Sequence, residues 1–273
     1  MKKIIIRFTQ FLGLLVLLSA FATSNGDFKY RSIPNNDFER GETLTYIAGY
    51  AFVDAGQAVV KVDKDLHSMN GRTCYKVDVD AKSIGLFSWT TKIKDKWQSY
   101  VDTAAIIPMR FHRDIAENNY RLVETTDFDH INGKAKVTWY KKNKKDEKNA
   151  NYSIPTYAQD IISGYYYLRT LDYDNMQEGD TVKIDAFFED KSYDFNLVYL
   201  GKEKIYTNFG RIDSFVMSPI MPDNKLFYGQ HPIKFWVSND ANRVPLKINA
   251  ELVVGAVEVN LVKHKGLKTK LGR

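Results

Sequence analysis

Period-two alternation of apolar and polar residues, recurring along the chain, is the constraint that leaves this sequence the fewest folds. It is cleanest over residues 73–81, where Tyr75, Val77 and Val79 fall on one side and Lys76, Asp78 and Asp80 on the other. Successive side chains of a strand point to opposite faces, so such a segment buries one face of a sheet and wets the other. Residues 42–53 repeat the pattern, with Leu44, Tyr46, Ala48, Tyr50 and Phe52 on one face. Asp54-Ala55-Gly56 then reads as a turn, and Ala58, Val60 and Val62 begin a return strand. Further strands are expected over 92–101, 109–113, 121–128 and, beyond an Asn132-Gly133 hairpin turn, through Ala135, Val137 and Trp139. After the middle of the chain they resume over 181–188, 193–200, 203–207, 212–217 and 235–238. A last long strand is expected over 245–262, bent at Gly255.

A different period appears once with conviction. Pro155 and Thr156 give a helix start signal. Tyr157, Ile161, Gly164, Tyr165 and Leu168 then follow at helical spacing within 157–171, after a charged loop at 141–149. Gly164 costs such a helix about 1 kcal/mol relative to Ala, and marks an expected close approach to another backbone. A helix with this stripe must bury it, and the concave face of a curved sheet is the simplest partner. The reading is therefore a mainly β protein: a large curved antiparallel sheet, an open or incomplete β-barrel of about a dozen strands, with one central helix near residues 157–171.

The N-terminus carries an address. Lys2, Lys3 and Arg7 precede an apolar run at 11–18, and Ala20-Phe21-Ala22 supplies small residues where a signal peptidase cuts. The uncharged stretch from Phe8 to Ala22 is shorter than the roughly 20 residues a membrane span needs. Residues 1–22 thus read as a signal peptide, 23–40 as an N-terminal extension, 41–262 as a single β-rich domain and 263–273 as a basic tail, frayed and solvated. The expected location is periplasmic or secreted, with no transmembrane segment after cleavage. Cys74 is the sole cysteine, so the cleavage point offers no lipid attachment and the fold gains no internal disulfide. It reads as a buried, inert thiol in a strand.

The formal charge of +6 misleads about partners. The signal holds three of those charges and the tail contributes five, leaving the body at −2. A nucleic-acid binder needs a basic face on the folded body, so nucleic acid is excluded as a partner. Aromatic residues make up 14 % of the chain, which suits strand packing and equally a groove for an apolar ligand.

Several blocks resemble an exported bacterial family, domain-of-unknown-function family number 3108. They are Gly41-Glu42-Thr43-Leu44-Thr45-Tyr46, Asp127-Phe128-Asp129-His130, Ile154-Pro155 to Gln159-Asp160, Tyr165-Tyr166-Tyr167-Leu168-Arg169, Gly179-Asp180, Tyr199-Leu200-Gly201 and the run from Trp236 to Pro245. The resemblance runs from about Gly41 to about Leu261. It implies export and a β-rich fold near the lipoprotein-carrier and sigma-regulator half-barrels of the envelope, which hold acyl chains or protein partners in a curved sheet. It implies no reaction and carries over no functional residue.

Catalytic motifs are not found. The histidines His67, His112, His130, His231 and His264 accompany no Gly-x-Ser-x-Gly elbow. Asp63, Asp65 and His67, like Asp78 and Asp80, match no metal loop. Glu189-Asp190 with Asp185 makes a poor glycosidase pair, because adjacent strand residues face opposite ways. It reads better as a polar turn. In the turn at 239–243, Arg243 is placed to bind an anion or pair with a carboxylate. The aromatic set is the leading site: Tyr165, Tyr166, Trp97, Trp139 and Trp236, with Arg243. No cofactor is expected. The expected role is non-enzymatic binding of a lipid or other amphiphile, or of an envelope protein partner. The alternatives are a structural module in envelope biogenesis and an envelope glycan hydrolase.

Overall fold

The alternating segments pair into one antiparallel sheet. In the computed structural model, residues 28–50, 53–141, 147–221 and 229–272 are described. The strands are β1 (Thr43–Tyr50), β2 (Val53–Met69), β3 (Arg72–Ser83), β4 (Lys94–Asp102), β5 (Pro108–Glu117), β6 (Tyr120–Asp129), β7 (Lys134–Lys141), β8 (Lys148–Ser153), β9 (Thr181–Phe188), β10 (Lys191–Thr207), β11 (Gly210–Pro219), β12 (Ile233–Ser238), β13 (Pro245–Glu251) and β14 (Ala256–Lys265). A short helix α1 (Phe87–Thr90) links β3 to β4, and α2 (Ile161–Arg169) follows β8. The reading of residues 1–22 as a signal lies outside the described residues. Phe28 and Tyr30, in a separate short unit that ends at Tyr30, meet edge to face.

Spatial order is β8-β7-β6-β5-β4-β3-β2-β1-β14-β13-β12-β11-β10-β9. The sheet is thus two runs of sequential hairpins joined where the first strand pairs with the last. Tyr46 of β1 stands opposite Ala58 of β2 on one side and Leu261 of β14 on the other. The sheet is not closed into a barrel, yet its edges approach each other. Gln159, just before α2, bridges edge strand β9 in parallel: its N–H donates to the Asp185 carbonyl, and the Phe187 N–H donates to its own carbonyl, both at 2.8 Å. Phe187 packs on Phe128 and Tyr152, while Phe188 packs on Trp97 and Phe111.

Helix α2 begins later than the periodicity suggests. Asp160 is its N-cap, accepting from the Ile162 and Ser163 N–H groups, while the Ser163 hydroxyl accepts from the Asp160 N–H. This reciprocal capping box satisfies donors that would otherwise be orphaned. Tyr157 instead sits in a turn with φ +59°. Residues Ile162, Ser163, Tyr166 and Arg169 form the buried face.

Four other expectations are corrected. Of the charged loop expected over 141–149, Lys148 and Asn149 belong to β8, which pairs with β7. Asp54-Ala55-Gly56 belongs to β2 and pairs with β1 and β3 rather than turning. The long strand at 245–262 is a hairpin, Glu251 opposite Ala256, because Gly255 at φ +75° reverses the chain. The tail is not frayed: Leu271 is buried, the Gly272 N–H donates to Asp240 Oδ2 at 2.7 Å, and Lys268 Nζ donates to the Asn36 carbonyl. Leu267 and Leu271 are the apolar residues that seat it among its charges.

Candidate functional site

The ends of the curved sheet differ. At one end, Arg169 leaves α2 and meets Glu42 at the start of β1, with Nη1 on Oε1 at 2.5 Å and Nη2 on Oε2 at 2.8 Å. Arg169 also donates to the carbonyls of Asp37 and Asn242, both at 2.8 Å, and lies over the rings of Phe38 and Tyr166. Burial pulls the guanidinium's proton affinity down, but Glu42 more than restores it, and Arg169 stays charged. Asn242 Nδ2 in turn donates to Thr269 Oγ1, and Asp240 accepts from Ser238, Asn242 and Gly272. Three blocks that carry the family resemblance therefore converge in one buried polar knot. Their role is architectural: they close this end.

On the far side of Arg169, α2 meets open space. Ile161, Gly164, Tyr165 and Leu168 face a hollow of about 410 Å³ whose opposite walls include Ile184, Phe188, Phe195 and Ile248. A neighbouring lobe of about 270 Å³ is lined by Tyr46, Ala58, Val60, Val79, Trp97 and Val259. The lobes share Ile161, Tyr165, Pro245 and Ile248, so they form one apolar trough. Solvent reaches it: Ile161 is 49 % and Phe195 44 % exposed. The apolar stripe legible in the sequence of α2 is therefore the one that faces the hollow. Gly164 is not pressed by another backbone. A Cβ there would sit 3.5 Å from the Gln159 Cβ, an ordinary contact. Its missing side chain leaves room on the hollow's floor.

The six anticipated residues divide. Tyr165 lines both lobes and shares a 2.7 Å hydroxyl contact with Tyr46. Burial raises the pKa of both phenols, so both stay neutral. Trp97 lines the smaller lobe, and its buried Nε1 has no hydrogen-bond partner among the described residues. Tyr166 is sealed in the core beside Glu42 and Arg169. Trp236 packs in a separate cluster with Ile205, Ile212, Val216 and Leu246, its Nε1 donating to Glu203 at 2.7 Å. Arg243 pairs with Asp174 at 2.5 Å and stacks over Phe215, so of its two anticipated roles it takes the carboxylate. Trp139 packs at the edge of the core, in a cross-strand row with an unanticipated pair. Trp97, Arg113, Glu124 and Trp139 stand opposite one another across β4–β7. Arg113 grips Glu124 at 2.9 and 3.0 Å and reaches Glu189, at the tip of the β9–β10 hairpin, at 2.8 Å.

Chemistry-bearing groups elsewhere are engaged structurally. Burial first, then the charge of Asp102, pushes the Cys74 thiol up to about 12, so it stays protonated. His130 Nε2 contacts the Pro108 carbonyl at 2.8 Å. Asp78 accepts from Gln98, and Asp80 pairs with Lys96. Glu189 and Asp190 form a turn, both at positive φ. No group of three or more His, Cys, Asp or Glu among the described residues is placed to hold a metal.

One curved antiparallel sheet around a helix, with an apolar trough between them, defines a β-barrel-like protein. The sequence places it further: the chain belongs to the family described as protein of unknown function (DUF3108), whose model matches residues 45–262. No curated protein matches it. Among solved structures it resembles a β-barrel-like protein of domain of unknown function DUF1849 from Brucella abortus, with TM-score 0.51, 10 % identity, and 87 % of this chain and 99 % of that one covered. A Bacteroides fragilis protein with a YmcC-like fold matches at TM-score 0.33 and 10 % identity, over 86 % of this chain and 99 % of that one. Among the described residues no helix is long and apolar enough to cross a membrane.

Proposed function

We propose that this is an exported envelope protein that holds an apolar or amphiphilic molecule, with a chain of acyl dimensions, in the trough between α2 and the sheet. The observation that carries the reading is the trough itself: about 410 Å³ in the larger lobe, walled by aliphatic and aromatic side chains and reached by solvent. Ligand sites are typically concave, mostly apolar and a few hundred Å³ in volume. Tyr165 and Trp97 are the residues that touch the ligand in this reading. The unpartnered indole N–H of Trp97 gives an ester or hydroxyl oxygen a donor. Export rests on the basic, apolar and small-residue order of residues 1–22.

Native mass spectrometry of protein recovered from its own host's envelope tests both parts. A mass starting near Thr23 with a co-purifying lipid is expected. An empty protein that also fails to take up a fluorescent fatty acid would overturn the binding reading, and a chain recovered with residues 1–22 from the cytoplasm would overturn export.

A further inference from the structure

On the reading that the trough is the binding site, we propose that its ligand is an uncharged single-chain lipid, an acylglycerol or a fatty alcohol, and that an ionised fatty acid is held more weakly. Among the described residues that line the two lobes, none is Lys, Arg or His. The acid there is Asp160, 1 % exposed. Its carboxylate already accepts from the Ser99 hydroxyl at 2.6 Å and from the Ile162 and Ser163 N–H groups. A carboxylate or phosphate drawn inside would lose its water and meet no counter-charge, the arrangement in which burying a charge costs most.

Cations near the trough are engaged or turned away. Arg113, which lies over the Phe188 ring, pairs with Glu124 and Glu189, and Arg169 pairs with Glu42. Lys183, Lys234 and Lys247 precede the wall residues Ile184, Phe235 and Ile248, so they sit on the other face of the sheet. Lys183 pairs there with Asp185 and Asp194, and Lys247 with Glu258. Lys191, at the tip of the β9–β10 hairpin beside Glu189 and Asp190, lines neither lobe. The hydroxyl donors are spent too. The Tyr46 hydroxyl donates to the Pro245 carbonyl at 2.9 Å, so the Tyr165 hydroxyl is the donor in its 2.7 Å contact with Tyr46. The buried polar atoms that the walls leave without a partner among the described residues are neutral: the Trp97 indole N–H, a donor, and the Gln159 Oε1, an acceptor. A donor and an acceptor match a hydroxyl, whereas a carboxylate only accepts. A fatty acid still enters by its tail. Its carboxylate stays in water at the mouth, and the methylenes nearest the head forgo burial.

The test is displacement of the uncharged dye N-phenylnaphthylamine from the full chain at neutral pH. The competitors are dodecanol, methyl dodecanoate, dodecanoate and dodecyltrimethylammonium, alike in chain and different in head. The two neutral ligands should displace the dye at roughly tenfold lower concentration than dodecanoate, the scale of leaving one or two methylenes in water. Ile161→Lys places a cation at a 49 % exposed position that lines both lobes, and should reverse the order in favour of dodecanoate. Lys191→Gln should leave the order as it is. Circular dichroism checks that each variant is folded, and the ranking on the unaltered chain decides without them. Equal displacement by neutral and anionic ligands would overturn the proposal and keep the trough as a site whose ligand leaves its head in water. Tightest binding by dodecanoate or by the ammonium would also overturn it. Failure of the dye and of every ligand to bind would remove the binding reading itself, and this choice of ligand with it.

Discussion

Arg169 and Glu42 lie 127 residues apart in sequence and meet in a fully buried two-point ion pair. Removing one partner of such a pair strands the other charge away from water, which costs about 3–5 kcal/mol. Glu42→Gln and Arg169→Met should each lower stability by that order in urea unfolding. Hydrogen exchange should also rise at residues 37–44, which the guanidinium ties down through the Asp37 carbonyl. A Glu42→Gln protein as stable as the parent would remove the knot from the account of how this end stays closed.

Gly164 separates folding from binding. Its backbone does not lie in the left-handed region and its Cβ position is unobstructed, so Gly164→Ala should be neutral or stabilise α2 by up to about 1 kcal/mol. Gly164→Leu should keep the fold and fill the trough, displacing a fluorescent fatty acid. Uptake unchanged in the leucine variant would place the ligand elsewhere.

Asp160 should give a pH dependence opposite in sign to that of a paired carboxylate. Burial, the largest influence, raises it from 3.8 to about 6, against the opposing hydrogen bonds from Ser99, Ser163 and Ile162. Between those values the folded chain holds a proton that the unfolded chain has lost. This contribution is therefore full below about pH 4 and falls as pH rises to about 6, by at most about 3 kcal/mol. Asn caps a helix as well as Asp does. The difference between the parent and Asp160→Asn in urea midpoint should follow that window, and a flat difference from pH 4 to 7 would contradict the assignment.

The two carboxylates on Arg113 should differ in weight. Glu124 is buried with it, whereas the Glu189 side chain is 58 % exposed. Glu124→Gln should cost about 3–5 kcal/mol. Glu189→Gln should cost about 1 kcal/mol or less, since solvent screens that pair. Its effect should appear instead as faster amide exchange in the β9–β10 hairpin, which Glu189 holds against β5. Equal losses in a thermal melt would show that the hairpin tip is buried more deeply than its exposure indicates.

Strand identity was largely legible because alternation reports one-sided burial, as in β3, where Val77 is sealed and Asp80 is exposed. Pairing partners were not, since nothing local at Tyr46 announces Leu261. β8 escaped because Lys148, Asn149, Ala150 and Asn151 carry no apolar face to alternate. The aromatic candidates were half informative. A ring's apolarity marks Tyr165 and Tyr166 equally, and only the capping box at Asp160, which fixes the helix phase, decides that one faces the trough and the other the core. Glu42, Arg113 and Glu124 were missed because a buried charge looks like a surface charge until its partner is known.

The pairing of β1 with β14 has a consequence in time. β2 to β8 can each find a neighbour as they emerge, but β1 gains its second ladder only when residues 256–265 arrive. Joining the two half-sheets closes a loop of some two hundred residues, a late and entropically expensive step of the kind that makes sheet proteins slow to mature. Until the last strand is delivered, the first exposes a bare edge, and the chain stays in a form that can still be threaded or trapped.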